Sequence, residues 1–454
     1  MWQRQFDRTD LARGMRAPPI CTIANRNFSL RQLPTTDSMT RRSLLFLSNR
    51  LPYPPHTGAA IRTYNVIRLL ARDFDLHVLC FDPFDKATER IPLAERMDAM
   101  SKFGIFEAFP IPQQGNRVRF VADHARSVIR RVPYTYFLHD SAPFARRLQR
   151  VLAERRFNLV HMDSLDLVRF LPQLERLPVA CTHHNVESSL MRRRAASEES
   201  PLVRGYLAHQ AELLERAERE WLPRVALNVA VSDVDRHELQ ALAPAARVVT
   251  IPNGVDTDFF APGVIAKTPG CVFVGGTTWY PNRDAFEWFV ADIAPAVRAM
   301  GVSAPVTWVG RTDDEKLRRF ANDPTLHLTG YVDDVRPYVH GAACVIVPLR
   351  VGGGTRLKIL DAWAMGAAVV STSIGCEGLD AVDGENILIA DSAADFARAI
   401  ARVLRDDALR RTVGENARRT AVERYSWDVV GVAMRALYLS LIQDKDEPIQ
   451  AGHG

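Results

Sequence analysis

The sequence predicts an α/β protein made of two doubly wound, parallel-sheet domains, on three observations. Short apolar runs alternate with amphipathic helical stretches, this grammar starts near Ser43 and again after Pro244, and a glycine turn separates strand from helix in each round. Parallel strands covered by helices on both faces read as short continuous apolar runs. At 454 residues the chain is too long for one ordinary core, so two domains are the natural division.

In chain order, residues 44–47 form an apolar strand, Gly58 breaks the run, and Ile61, Tyr64, Ile67 and Leu70 recur at helical spacing before a strand at 76–81. Strands at 158–162 and 179–181, a Glu- and Arg-rich helix at about 202–221, and a strand at 227–231 complete the first domain. The second round places strands at 248–251, 271–274, 306–309, 326–328, 344–347 and 368–371. A final helix, 426–441, carries Val429, Val430, Met434, Leu437 and Leu441 on one stripe. The expected organisation is a disordered leader (1–41), an N-terminal Rossmann-like domain (42–245), a C-terminal Rossmann-like domain (246–425), a helix packing back across the domains (426–443) and a disordered tail (444–454). The leader lacks the continuous apolar segment of a secretory signal, and Met39, just before the first strand, is the expected start of translation.

Composition, 47% hydrophobic and 24% charged, is that of a soluble globular protein. A net charge of +5 favours anionic ligands or an anionic membrane surface. No nucleic-acid-binding motif accompanies it, so a nucleic-acid partner is not expected. Six cysteines, at 21, 80, 181, 271, 344 and 376, lack metal-ligand spacing, which points to a reducing compartment and no structural metal. No apolar stretch approaches the ~18 residues of a membrane helix.

The strongest chemical signal is Val347-Pro348-Leu349-Arg350-Val351-Gly352-Gly353-Gly354-Thr355-Arg356-Leu357-Lys358, a strand, a glycine turn and the start of a helix that runs to Gly366. Glycines let backbone N–H groups approach an anion without Cβ obstruction, and the helix dipole adds positive potential. Arg356 and Lys358 bring full charges to the same turn, where a purely structural helix would avoid cations. A plain loop with solvated basic residues is the alternative.

From about residue 42 to 440 the chain resembles retaining glycosyltransferases of family four. The matching segments are Pro55-His56-Thr57-Gly58-Ala59, His184-Asn185-Val186-Glu187, Val231-Ser232-Asp233, Ile251-Pro252-Asn253-Gly254-Val255-Asp256, Phe259-Phe260-Ala261-Pro262, Phe273-Val274-Gly275-Gly276, Gly330-Tyr331-Val332-Asp333-Asp334 and the glycine turn with its helix. The resemblance implies the GT-B fold, two Rossmann-like doubly wound domains facing across a cleft, and a nucleotide-diphosphate sugar as donor substrate with no cofactor. It implies a hexosyl transfer, without a metal, to a glycan or lipid-linked acceptor in surface polysaccharide biosynthesis, at a cytoplasmic site or peripherally on the inner membrane face.

The family usually carries Glu-x7-Glu at the glycine turn; the corresponding positions here are Gly353 and Asp361. The sugar contact of the first Glu is therefore lost, while Asp361 still accepts hydrogen bonds from a ribose diol. Gly276 and Asn282 stand near the positions of the family's diphosphate-binding Arg and Lys, so the resemblance hands that charge role to Arg356 and Lys358. Gly353, Gly354 and Thr355 would cradle the diphosphate, Gly58 would admit it beside the opening helix, Val332 would meet the base through its backbone, and His184 would face the donor sugar. Turn or loop roles remain open for Gly58, Asn282, His184 and Asn253-Gly254.

The acidic pairs Asp313-Asp314, Asp333-Asp334 and Asp406-Asp407 read as solvated turns rather than a metal site. Arginines at 117, 119, 126, 130, 131, 146, 147, 150, 155 and 156, interleaved with Val118, Phe120, Val128 and Ile129, leave a membrane-surface face and ordinary solvated helices equally open. Two further readings stand beside transfer: a nucleotide-sugar epimerase of the same fold, and a degenerate sugar-nucleotide-binding partner without catalysis.

Overall fold

A computed structural model describes residues 41–83, 91–263, 268–312, 325–352 and 354–446. The expected leader up to residue 40, the tail from 447, Gly353 and the Asp313-Asp314 pair lie outside the described residues. The first lobe is a seven-stranded sheet of β1 (Arg42–Ser48), β2 (Phe74–Asp82), β3 (Ile105–Pro110), β4 (Leu159–Met162), β5 (Val179–His183), β6 (Leu227–Ala230) and β7 (Val248–Thr250). Its order is β3-β2-β1-β4-β5-β6-β7, with every pair parallel. The second lobe holds six parallel strands in the order β10-β9-β8-β11-β12-β13. They are β8 (Thr268–Val274), β9 (Val306–Val309), β10 (Leu326–Gly330), β11 (Ala342–Val347), β12 (Val369–Ser371) and β13 (Leu388–Ile389).

Alternation along β1 builds both cores of the first lobe. Leu44 and Phe46 face one side, with Val430, Met434 and Tyr438 of the last helix. Leu45 and Leu47 face the other, with Phe144, Leu148 and Val151 of helix Ala142–Glu154. The last helix, Trp427–Asp446, thus completes the first lobe's core and runs past the expected end at 443. Its buried stripe is rotated from the expected one: Tyr438 is buried and Val429 is exposed.

The expected strand 248–251 does not begin the second lobe. It is β7, which pairs with β6 and ends the first sheet. The chain then crosses between lobes at Ile251–Asp256 and returns at Tyr425–Trp427, and the two crossings lie side by side. Val255 N donates to Tyr425 O (2.7 Å) and Trp427 N to Val255 O (3.3 Å). The Asn253-Gly254 turn is fixed there: Arg62, fully buried, donates to Ile251 O, Pro252 O and Asn253 Oδ1, each at 2.9 Å. A Cβ on Gly254 would lie 2.5 Å from the Trp427 ring. Asn253 and Gly254 therefore serve the hinge.

Strand order reverses between β1 and β4 in one sheet and between β8 and β11 in the other. Such a reversal opens a crevice at the carboxyl ends of the strands. Apart from the loop of Val332, which follows the edge strand β10, the loops that carry the expected site residues leave the sheets at these reversals or beside them.

Candidate active site

The second-lobe wall starts where β11 leaves the sheet. Gly352 and Gly354 take φ values of 145° and 67°, conformations that disfavour any side chain. Helix Leu357–Ala364 begins after them, with Arg356 at its N-cap. Arg356 turns back into the turn and donates from Nη1 to Gly354 O. Only 8% of the residue is exposed, and burial lowers the guanidinium from its ordinary value. Arg356 therefore braces the turn that it was expected only to charge.

Lys358, two residues further, donates from Nζ to Asn282 Oδ1 (2.9 Å) and sits 3.9 Å from the centroid of the Phe273 ring. Asn282, in helix Tyr280–Trp288, donates from Nδ2 to Gly276 O (2.9 Å). Three residues found separately in the sequence, Gly276, Asn282 and Lys358, thus form one cluster at the end of β8. A Cβ on Gly275 would lie 2.7 Å from Asn282 Nδ2 and 2.8 Å from Lys358 Nζ, so glycine there makes room for it. Burial, with the charge of Arg356 adding, pushes the partly buried Lys358 ammonium down to about 7. Burial pushes Asp361, on the same helix, up to about 7.

Glycines continue this edge across β9 and β10. Gly310 N donates to Gly330 O (3.0 Å), and a Cβ on Gly310 would lie 2.5 Å from Gly276 N. Gly310 was not singled out in the sequence; its only local signal is a glycine directly after an apolar strand. Val332, two residues beyond β10, packs on the second-lobe core beside the exposed Tyr331. It is two strands away from the Gly276–Asn282–Lys358 cluster.

The first-lobe wall is organised by Asp163, a residue that sequence reasoning missed. It follows β4, is fully buried, and accepts from Thr63 Oγ1 (2.5 Å) on the opening helix and from His161 Nε2 (3.4 Å). Tyr438 of the last helix donates to His161 Nδ1 (2.6 Å). His184, just after β5, donates from Nε2 to the Asp163 carbonyl (3.0 Å), with the carboxylate 3.6 Å away. Burial alone would raise the Asp163 carboxyl. The charge of His184 and the hydrogen bonds from His161 and His184 outweigh it and hold the group well below the usual range. His183, by contrast, is buried against Asn228 (2.9 Å) as a structural residue.

The two walls touch. A Cβ on Gly354 would lie 2.7 Å from Asn185 Oδ1 and 3.2 Å from His184 O, and one on Gly58 would lie 3.6 Å from Leu357 Cδ1. Arg193 Nη1 donates to Gly352 O (2.6 Å) and pairs with Glu377 (3.0 Å); Thr355 Oγ1 donates to Val231 O (3.4 Å). The His184 loop and the glycine turn therefore meet at a junction lined also by Ser189, Ser232 and Asp235, and the N-terminus of helix Gly58–Leu70 approaches the same second-lobe helix at Leu357. Among the described residues no group of three or more His, Cys, Asp or Glu side chains could hold a metal ion.

Known proteins share the two-lobed fold. Residues 56–259 match the family described as Glycosyltransferase Family 4, and residues 268–406 that described as Glycosyl transferases group 1. A phosphatidyl-myo-inositol mannosyltransferase of Mycobacterium tuberculosis is 30% identical over 230 residues, 47% of this chain and 60% of that protein. The chain thus spans about 60% of the length of the curated relative it matches. The lipopolysaccharide core biosynthesis glycosyltransferase LpsE of Rhizobium meliloti is 34% identical over 122 residues, 26% of this chain and 34% of that one. Among solved structures, sucrose-phosphate synthase from Thermosynechococcus elongatus superposes with a TM-score of 0.65 at 18% identity, covering 89% of this chain and 100% of its own. Anabaena HepE in complex with UDP gives 0.64 at 14% identity, covering 88% and 100%. Two parallel sheets meeting at their switch points, and two family matches that together span both lobes, make this chain a member of the family 4, group 1 glycosyltransferases with the GT-B fold.

Proposed function

We propose that the protein transfers a hexosyl group, with retention of configuration and without a metal, from a nucleoside-diphosphate sugar to a hydroxyl of a glycan or lipid-linked acceptor. One observation carries this reading: the glycine turn, with Lys358 and Asn282 behind it, abuts the His184 loop across the junction of the lobes. The names of the relatives, a phosphatidyl-myo-inositol mannosyltransferase and a lipopolysaccharide core glycosyltransferase, support the acceptor class. Work on the cytoplasmic side, where nucleotide sugars are made, fits the five described cysteines, all free and buried.

In this mechanism the bond from the anomeric carbon to the diphosphate oxygen breaks, and its electron pair goes to the departing phosphate. The acceptor hydroxyl attacks from the same face and passes its proton to that phosphate. The Gly354 and Thr355 amides and the Lys358 ammonium stabilise the growing charge, which is where preorganised electrostatics lowers a barrier most. Arg356 holds the turn in shape and adds long-range positive potential. Gly58 admits the diphosphate to the N-terminus of the opening helix. His184 has its Nε2 proton committed to the Asp163 carbonyl, so its Nδ1 is the ring atom left to meet a sugar hydroxyl. Asp361 accepts from the ribose, and Val332 meets the base through its backbone.

A thermal-shift screen with UDP, GDP, ADP and CMP identifies the nucleotide, because a ligand raises folded-state stability by mass action. The matching nucleotide sugars are then incubated with and without a lipid-linked acceptor. Transfer to the acceptor supports the proposal; isomerised donor points to epimerisation, and binding with neither product points to a binding protein.

A further inference from the structure

Helix Arg117–Arg130 is built inside out. Its polar side faces the fold: Asp123 and Ser127 are buried, Arg119 (3.4 Å) and Arg126 (3.1 Å) bond Asp123, and Gln210 Nε2 donates to Ser127 Oγ (2.8 Å). The His124 ring lies 3.8 Å from that of Tyr134 and 5.7 Å from that of Tyr206. On the opposite side Val118 is 81% exposed, Val121 65%, Val128 46% and Ile129 79%, with Ala125 between them. Their spacing of three and four residues puts them on one stripe. A surface helix ordinarily buries such a stripe; here the polar network on the other side holds it outward.

Charge says what this stripe meets. Arg117 and Arg131 are exposed at the two ends of this stripe, and Arg126 and Arg130 are exposed at its polar margin, Arg126 also tied to Asp123, while the helix's acidic residue, Asp123, is buried. An apolar stripe flanked by arginines fits the boundary between anionic headgroups and acyl chains. Two copies of this face set against each other would instead bring arginine rows together. No helix among the described residues is long and apolar enough to cross a membrane, so this is contact at the surface.

We propose that helix Arg117–Arg130 docks the protein on an anionic lipid bilayer, its Val118–Ile129 stripe entering the interface and its arginines meeting lipid phosphates. The contact does not depend on the transfer reaction and can be tested apart from it. The full chain is sedimented with vesicles of phosphatidylcholine alone or with about 30% phosphatidylglycerol. Binding about tenfold or more tighter to the anionic vesicles is expected. The exposed double substitution Val118→Asn, Ile129→Asn should weaken it by about tenfold or more with thermal unfolding unchanged. Arg117→Gln with Arg130→Gln should remove the preference for phosphatidylglycerol. Equal binding of wild type and the Val118→Asn, Ile129→Asn variant, or no binding by wild type, overturns the proposal. So does a wild-type dimer that the apolar substitutions dissolve without any lipid binding, an outcome that would assign the stripe to a second copy.

Discussion

Lys358 sets the pH dependence of donor affinity. Its ammonium falls from an ordinary 10.5 to about 7 because burial strips its solvation and Arg356 adds a like charge. A bound diphosphate opposes both effects, so the complex holds the proton more tightly than the free protein. The donor affinity that Lys358 provides is then fully present below about pH 7 and declines as pH rises toward the higher value in the complex. Full recovery of the ordinary value would set the ceiling, but Lys358 is partly exposed, and screening leaves a weakening of about 10- to 100-fold. Asp361, raised to about 7 by burial, acts with the opposite sign. Ribose hydroxyls favour its ionised form, so its contribution grows as pH rises through that value and is lost below it. Together they give a bell-shaped affinity profile centred near neutrality. Calorimetric titration with a nucleoside-diphosphate sugar, whose doubly esterified diphosphate does not itself titrate here, follows it from about pH 5.5 to about pH 9. Lys358→Met should flatten the alkaline limb and Asp361→Asn the acid limb. A flat wild-type profile, or an alkaline limb that survives in Lys358→Met, refutes the reasoning.

His184→Ala should lower turnover by about 100-fold while donor affinity changes by less than about threefold; an unchanged rate removes His184 from the reaction. Tyr438→Phe leaves the buried His161 Nδ1 without its donor, so denaturant titration should show a loss of about 1–3 kcal/mol. Turnover should also fall by about fivefold at constant donor affinity if the Tyr438–His161–Asp163 chain positions His184; an unaltered rate confines that chain to stability. Gly354→Ala meets a φ of 67° and a contact of 2.7 Å with Asn185 Oδ1, so it should cost about 1–2 kcal/mol and at least about tenfold in rate. Adding Asn185→Ala should restore part of the rate, and a wild-type rate in the single variant contradicts the close approach of the lobes. Arg356→Ala should lower both turnover and stability, the latter by about 1–3 kcal/mol, because the side chain braces the turn; equilibrium unfolding beside initial rates measures both.

What the sequence shows and what it hides follow from range. Inner strands such as β1 and β11 are continuous apolar runs because both of their faces are covered, and local pattern suffices to find them. β3 was missed because it is an edge strand, half-exposed, with Glu107 turned to Arg147 (2.7 Å). β13 was missed because two residues make no pattern. The strand at 248–250 was visible but assigned to the wrong lobe, since pairing with β6 is a long-range choice that its own residues do not record. The glycine turn was legible because both its backbone demand and its charges are local. Asp163 was not, because its partners Thr63, His184 and Ser48 lie far from it in sequence. Helix Arg117–Arg130 displayed its amphipathic pattern plainly, yet which side faces water was settled by Gln210 on another helix.

The most direct measurement is a crystal structure of the protein with a bound nucleoside-diphosphate sugar. The diphosphate should lie at the junction of the lobes, within hydrogen-bonding distance of the Gly354 or Thr355 amide and of Lys358 Nζ, with the sugar toward His184. Density for the diphosphate anywhere else, with that junction still closed by Asn185 against Gly354, would contradict the proposed site.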